Sequence, residues 1–568
     1  MSVYSPDLWS KSYAPGVRWD APIPTYPLPW LLDQARAKYG DAPAFDFMGK
    51  RYGWDALAQA ADHVARGLQD RGFMKGERVA LMLPNCPFYP ALYYGVLKAG
   101  GIVVNLNPLY TTREIRHHIE DSGATYLVTT DLEAMFSKAA EVLTQTRLEN
   151  VIVCRFTDIL PFPKNLLFPV VKWREISSAA HAGDYLAFDA LVHNDGKPAP
   201  VEIDPINDIA LLQYTGGTTG IPKAAALTHA NLSANCEQAV QWLPGAQEGR
   251  GKMLAVIPFF HVFSMTACLN FAVRLGMEII ATPRFDIDET LAIIAKKKPT
   301  IFPAVPAIYN AIAHKAEGAT YDLTSIEFCI SGGAPLPPEV KKSFESLTGA
   351  VVVEGYGLSE SSPVVCVNPT AGANKPGSIG LPVPGTIVEI ISLEDGVTPV
   401  PLGQRGELCV RGPQVMKEYW HKPEETALVL RQGLLHTGDV ATMDEGGYVR
   451  IVDRIKDMII VNGFKVYPRN VEDIIYGFAG VGECVVAGVP DPARGEVVKA
   501  WIYPKAGAHI EVEALRVYLK HELQPVEVPK QIEITDAPLP KTLVGKLSRK
   551  ELVAREAAKI PVSTKAER

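Results

Sequence analysis

Apolar and polar positions alternate along this chain in two rhythms. Between Leu31 and Thr130, helical amphipathic spacing at Trp54–Leu68, Pro90–Lys98 and Thr112–Asp121 takes turns with short apolar runs at Arg78–Leu83, Ile102–Asn105 and Thr125–Thr129. That alternation predicts an α/β unit. A second α/β stretch is expected over Asp208–Thr348, with strands at Met253–Ile257, Glu278–Ala281, Ile301–Ala304 and Ile326–Ser331. From Gly377 to Arg450 short strands separated by Gly and Pro turns predict a small β-barrel or sandwich unit. Beyond Asp453 the segments become shorter and more charged. A polar junction of Asp453, Arg454, Lys456 and Asp457 separates the apolar runs Tyr448–Val452 and Met458–Val461, and a domain boundary is expected there. The roughly 115 residues that follow are long enough to fold around their own core. No internal repeat of about 20 to 50 residues is visible.

Composition narrows the class. At 568 residues the chain exceeds one hydrophobic core, and about 150 residues per domain suggests three to four units. The 47% hydrophobic and 21% charged residues are those of an ordinary globular protein, while 45 prolines point to many stiff turns. A net charge of −7 argues against an extended nucleic-acid surface. The eight cysteines are scattered singly without a CxxC pair, so neither a zinc site nor a disulfide framework is expected, and they read as small buried side chains in a reducing cytosol. Met1–Trp30 carries six prolines and no apolar signal core, which predicts a cytoplasmic chain. No run reaches the ~18 apolar residues of a spanning helix. The most hydrophobic irregular segment, Ile159–Trp173, is broken by Pro161, Pro163 and Pro169; it either dips into a membrane interface or, as expected here, packs as a loop on its own domain.

Candidate chemistry begins with Tyr214-Thr-Gly-Gly-Thr-Thr-Gly-Ile-Pro-Lys223. Gly216, Gly217 and Gly220 let backbone N–H groups approach an anion, Thr215, Thr218 and Thr219 add hydroxyls, and Lys223 adds a mobile charge. An apolar run, Ile209–Leu212, precedes the loop as a strand, and Leu227–Leu243 follows with helical spacing, the usual order of a phosphate cradle. The loop lacks a GK[ST] triplet, so an ordinary P-loop NTPase is not expected.

Further along, Glu354-Gly-Tyr-Gly-Leu-Ser-Glu360 flanks Tyr356 with Gly355 and Gly357, a pattern that suits stacking on a purine, with Ser359 near phosphate and Glu360 near magnesium. Taken alone it also fits a strand-ending turn. His436-Thr-Gly-Asp439 offers a carboxylate able to accept both hydroxyls of a ribose, or an ordinary turn aspartate. His261 lies in the apolar strip Pro258–Phe263, where a core histidine satisfied by backbone is the default. Lys546 closes Leu539-Pro-Lys-Thr-Leu-Val-Gly-Lys546 on a glycine-containing loop.

These motifs, with Ser331-Gly-Gly-Ala-Pro335 and Asp453–Pro468 (DRIKDMIIVNGFKVYP), occur in one order, and together the chain resembles the adenylate-forming ligases over nearly its whole length. Within that superfamily it is most similar to bacterial long-chain fatty acyl-CoA synthetases, on weaker markers at Val103–Tyr110, Gly377–Gly385, Gly406–Trp420 and Asn462–Asp473. The resemblance implies an α/β fold: a large N-terminal domain, 1–453, of two α/β subdomains plus a small β-barrel, and a small mobile α+β C-terminal domain, 454–568.

It also implies two half-reactions with ATP, Mg2+ and CoA. In the first, a fatty acid attacks the α-phosphate and pyrophosphate leaves, with Thr215–Lys223 on the β- and γ-phosphates, Thr218 and Glu360 on magnesium, and Lys546 neutralising charge at the α-phosphoryl group. Tyr356 would stack on adenine beside Gly332, Gly333 and Ala334, Asp439 would hold the ribose, and Arg454 would lie near ribose and phosphate. In the second, the CoA thiol takes the acyl group after the small domain rotates about a hinge at Lys456, bringing Asn462, Gly463, Phe464 and Lys465 to the pantetheine tunnel that His261 would line or gate. Pro258–Met265 and Ala304–Ile308 are candidate walls for the acyl chain. The implied partners are these small molecules and no nucleic acid, with a homodimer and peripheral contact at the inner membrane face left open.

Some residues depart from the family pattern. Ala224 replaces the commoner glycine after the loop lysine, Ser359 replaces a threonine, and Glu527 stands in Gln524–Pro529 where many relatives carry a basic residue, which puts a CoA or domain-closure contact there in question. Rival readings are a ligase for medium-chain or aryl acids or for a carrier-protein acceptor, and a non-catalytic acyl or nucleotide sensor. The expected tunnel role of Gly463 has a direct test: Gly463→Ile should spare acid-dependent pyrophosphate release and stop thioester formation, and an unchanged rate of thioester formation would remove Gly463 from the tunnel.

Overall fold

The computed structural model describes residues 3–181, 185–215, 222–316, 321–461, 464–491, 495–505, 507–541 and 547–558. Its first half is built on an eight-stranded sheet. Six strands run parallel in the order Ile209–Thr215, Ile102–Asn105, Arg78–Leu81, Tyr126–Thr130, Asn150–Cys154 and Leu186–Ala187. Lys223–Thr228 and then Glu418–Tyr419 add antiparallel at the Ile209 edge. The strands are buried nearly throughout, as parallel strands covered by helices on both faces must be. The helices expected between them form at Trp54–Gln69, Phe88–Lys98 and Thr112–Ser122, the last opened by a reciprocal capping box between Thr111 and Glu114.

The phosphate-type loop does not stand between a strand and a helix, as its flanks suggest. Ile209–Thr215 and Lys223–Thr228 pair antiparallel, from Ile209 opposite Thr228 to Thr215 opposite Lys223, so the loop is the turn of a hairpin. The helix begins one strand later, at His229–Trp242. Ala224–Leu227 is buried in the sheet, and the switch comes at Thr228, whose hydroxyl accepts from Asn231 N (3.2 Å) while Asn231 Oδ1 accepts from Thr228 N (2.9 Å).

In the second α/β stretch, Pro43–Phe47, Glu278–Ala281 and Lys252–Ala255 pair in parallel, and Phe328–Ser331 pairs with Val351–Gly357. The expected strand at Ile301–Ala304 makes isolated bridges at its two ends, to Met253 and Phe328 and to Ser331. Pro303 between them has no N–H to continue the ladder. In the region of the expected barrel or sandwich, Ile387–Ile391, Gly406–Arg411, Leu434–Met443, Leu430–Arg431 and Val449–Arg454 form an antiparallel five-stranded sheet.

The C-terminal residues form another sheet, Phe464–Val466, Ile459–Val461, Gly495–Pro504 and Val481–Asp491, with Gln531–Ile534 parallel to Gly495–Pro504. Its buried side chains make two clusters drawn from residues at and beyond Ile459, separate from the clusters of the first 451 residues. All eight cysteines are free and buried, as expected.

One expectation about packing changes. The Ile159–Trp173 segment is anchored by buried Ile159 and Leu160 and by Phe168 against Phe156 (5.4 Å between rings), but it contains a helix, Lys164–Val171, whose other apolar side chains stand in solvent. Among the described residues no helix is long and apolar enough to cross a membrane.

Candidate active site

The candidate residues gather where strands end. Thr215 and Lys223 face each other across the mouth of the hairpin, Thr215 Oγ1 donating to Lys223 O at 3.4 Å. Below them the Tyr214 hydroxyl donates to Asp121 Oδ2 (2.8 Å) and His118 O (3.2 Å), which anchors the hairpin to the helix Thr112–Ser122. Gly216, Gly217, Thr218, Thr219 and Gly220 lie outside the described residues, as do Asn462, Gly463 and Lys546.

The strand Glu418–Tyr419 runs beside Ala225 and Ala226 and brings Tyr419 to this mouth. Lys223 Nζ sits over the Tyr419 ring at 5.4 Å, and the Tyr419 hydroxyl donates to Glu360 Oε1 at 2.7 Å. Burial and the Glu360 charge hold the Tyr419 phenol well above its usual pKa, so it is a donor. Glu360 is further placed by its own carbonyl, which accepts from Met416 N at 2.8 Å. Tyr419 and Met416 belong to the Gly406–Trp420 marker, which sequence reasoning treated as chemically silent.

A second group centres on Asp439. Its Oδ2 accepts from the Tyr356 hydroxyl and its Oδ1 from Arg454 Nε (3.2 Å), Arg454 being its cross-strand partner. Tyr356 and Asp439, expected on different parts of a nucleoside, are thus directly bonded. A carboxylate has about four acceptor sites, so two remain for a diol. Glu407 holds the turn that carries Asp439: Oε1 accepts from Gly438 N (3.0 Å) and Oε2 lies 2.8 Å from His436 Nδ1. Thr437 Oγ1 donates to Leu408 O at 2.7 Å and accepts from Asp439 N at 3.1 Å. Glu407 was missed; its trace in the sequence is an acid inside the apolar strand Gly406–Arg411.

The glycines around Tyr356 have a packing reason. A Cβ on Gly357 would stand 1.9 Å from Pro363 O, so the neighbouring backbone requires glycine there, whereas one on Gly355 would stand 3.1 Å from Ile330 Cδ1 and press on that side chain. A Cβ on Gly332 would likewise meet the Phe263 ring at 3.1 Å. Gly332 N donates to Ala304 O at 3.2 Å. The Ser331–Pro335 motif therefore touches both expected acyl-wall segments, Gly333 turning beside it at φ 80° and Ala334 half-buried. His261 is half-buried and caps the short helix Val262–Ser264, its Nδ1 accepting from Phe263 N at 3.3 Å. Ser359 opens the short helical turn that presents Glu360.

At the boundary, Asp453 accepts from Arg454 N (2.7 Å) and Arg469 N (2.8 Å), and burial lifts its carboxyl to about 6. Arg549 bonds Val486 O, Asp457 Oδ2 and Glu472 Oε1 at 2.6–2.8 Å, tying the turn that contains Lys456 into the C-terminal unit. Phe464 and Lys465 are exposed on the strand Phe464–Val466; Lys465 lines a cavity of about 310 Å³ with Glu407, Arg431, Ile455 and Met458. Glu527 accepts from Asn470 Nδ2 (3.2 Å) and Gln524 N (3.1 Å), so it serves the C-terminal unit internally.

Residues 32–420 match the AMP-binding enzyme family, and residues 470–546 match the AMP-binding enzyme C-terminal domain. The chain belongs to the AMP-binding enzyme family. Its relatives include a long-chain-fatty-acid–CoA ligase of Bacillus subtilis, 45% identical over 96% of this chain and 98% of that one. Another, of the same description, from Escherichia coli O6:H1, is 40% identical over 94% and 95%. Among solved structures, ATP-bound MatB from Rhodopseudomonas palustris aligns with a TM-score of 0.81 at 28% identity, covering 93% of this chain and 98% of that one.

In this AMP-binding enzyme, Tyr419→Phe should keep the aromatic face under Lys223 and lose the hydrogen bond to Glu360. A bond to a charged group contributes about 1.5–3 kcal/mol, so KM for ATP should rise roughly tenfold or more; steady-state kinetics with KM and kcat both unchanged would exclude the role. A second outcome concerns Glu354, whose carboxyl burial pushes up to about 7 against the pull of Arg469. Its contribution to stability is complete below its ordinary value of 4.5 and is lost as pH rises through about 7. Glu354→Gln should therefore raise the thermal midpoint relative to wild type at about pH 8, with the gap closing by about pH 5; a pH-independent difference would count against it.

Proposed function

We propose that this protein is an ATP-dependent ligase that activates a fatty acid, in particular a long-chain one, as its acyl-adenylate and transfers the acyl group to CoA, releasing AMP and pyrophosphate. One observation carries the reading: near full-length agreement with long-chain-fatty-acid–CoA ligases, in a chain whose own Glu360, Tyr419 and Lys223 meet beside the glycine-threonine loop.

A carboxylate oxygen of the acid attacks the α-phosphorus of ATP in line, and the bond to pyrophosphate breaks. Lys223 and the loop 215–220 hold the leaving β- and γ-phosphates through lysine, hydroxyl and backbone N–H donors. Tyr356 and the Ser331–Pro335 segment flank the nucleoside, with Asp439 toward the ribose and Arg454 between ribose and phosphate. Lys546 neutralises charge that builds on the α-phosphoryl oxygens. The residues present fit a magnesium ion held mainly by substrate phosphates: Glu360 offers one carboxylate, already oriented by Tyr419, and Thr218 a hydroxyl. When bound, that ion would draw negative charge from the phosphates.

The thiol of CoA then attacks the acyl carbonyl, and AMP leaves. The partition at 453/454, with Lys456 as hinge, fits the separate cores on either side and lets the small domain, 454–568, present Lys546 in one step and Asn462–Lys465 in the next. His261, whose ring is fixed by its bond to Phe263 N, would border the thiol's path.

The test is acid-dependent pyrophosphate release over short-, medium- and long-chain fatty acids and aryl acids, with and without CoA. Long-chain acids should give the highest kcat/KM, and thioester should form with CoA; no release with any acid would overturn the reading. Lys546→Ala should cost on the order of 10² to 10³ in adenylation, about 3–4 kcal/mol, while thioester formation from supplied acyl-adenylate stays largely intact. Equal loss of both steps would remove Lys546 from the first.

A further inference from the structure

The helix Lys164–Val171 and its flanks expose six large apolar side chains close together in sequence: Phe162 (78%), Leu166, Leu167, Val170 (72%), Val171 and Trp173 (64%). A monomeric surface scatters such groups singly, and a run of this density marks a contact. It is not a loosely held tail, because Ile159, Leu160 and Phe168 root it in the core. Its charge is of one sign. From Ile159 to Arg174 there are three basic residues, Lys164, Lys172 and Arg174, and no acidic one, in a protein of net charge −7. Glu175 pairs with Lys172 at 2.5 Å, both largely exposed, and Arg174 lies over the Trp173 ring at 5.2 Å.

We infer that this helix is a docking surface for an anionic lipid bilayer. The helix has eight residues, too few to span, so it would lie in the interface plane. Apolar side chains of helix and flanks would enter the acyl boundary, the stems of Lys164 and Lys172 would reach back to headgroup phosphates, and Trp173 would sit at headgroup level. Charge complementarity selects the occupant: a lipid surface offers both the negative headgroups and the apolar depth this strip can use, whereas a second copy of the chain would set basic strip against basic strip. The inference does not depend on the identity of the acid, although a ligase for a bilayer-soluble acid would gain from it.

The experiment is co-sedimentation of the full chain with vesicles of phosphatidylcholine alone and of phosphatidylcholine with phosphatidylglycerol. The comparison variant is Leu167→Glu/Val170→Glu/Val171→Glu, with its folding checked by unchanged pyrophosphate release on a soluble short acid without vesicles. Wild type should partition onto the anionic vesicles at least tenfold more strongly than the variant, and less strongly when salt rises from about 0.1 to about 0.5 M. Equal partition of the two proteins would overturn the proposal. So would a wild-type dimer that the variant loses, without vesicle binding, since the strip would then be an interface between copies.

Discussion

The candidate site is organised around the Asp439 carboxylate. It is buried, and a buried charge survives only with partners. Those partners come from separate pieces of the chain: Tyr356 from the end of a parallel-paired strand, and Arg454 from the end of the strand Val449–Arg454, at the expected domain boundary. Glu407 braces the turn from beneath, bonding Gly438 and His436. One carboxylate thus joins two sheets at the edge of the C-terminal unit, and in the proposed function its position would set where a ribose lies.

The second anchor is the hairpin of Ile209–Thr215 and Lys223–Thr228. Because the strands flanking the loop pair with each other and the helix His229–Trp242 starts a strand later, that helix does not begin at the loop. In the proposed function, phosphate would be held by loop donors and Lys223, beside the Tyr419 ring and Glu360. The edge strand Glu418–Tyr419 makes this arrangement, carrying a residue about two hundred positions away in sequence to the mouth of the loop.

The C-terminal unit keeps its own apolar clusters, and charged groups stand at its boundary with the rest, Arg454 on Asp439 and Arg469 N on Asp453. Asp453, Arg469 and Glu354 lie along that seam, and burial raises both carboxyls. Contacts of this kind can be exchanged for others at smaller cost than apolar packing, which is compatible with the hinge proposed at Lys456. Glu527 is absorbed into the unit's own hydrogen bonding, accepting from Asn470 and Gln524.

Local rules sufficed for most elements. The helices at Trp54, Phe88 and Thr112 and the strands at Ile102 and Glu278 follow from periodicity, because burial on one face or both writes itself into residue spacing. The chemical residue types were equally legible: Glu360, Asp439 and Lys223 stand in motifs whose order identifies the family. Periodicity could not say that Ala224–Leu227 pairs as a strand, since a short apolar run fits a buried helix as well as a buried strand. Nor could it show that Gly355 and Gly357 yield to Ile330 and Pro363, that Tyr419 and Glu407 support the site, or that the helix Lys164–Val171 faces solvent. By itself the sequence determined which side chains and which local conformations are available, because these depend on neighbours a few positions away. Tertiary structure decided which of them meet, because Tyr419 with Glu360 and Tyr356 with Asp439 are bonds between segments whose separation is set by sheet order and register.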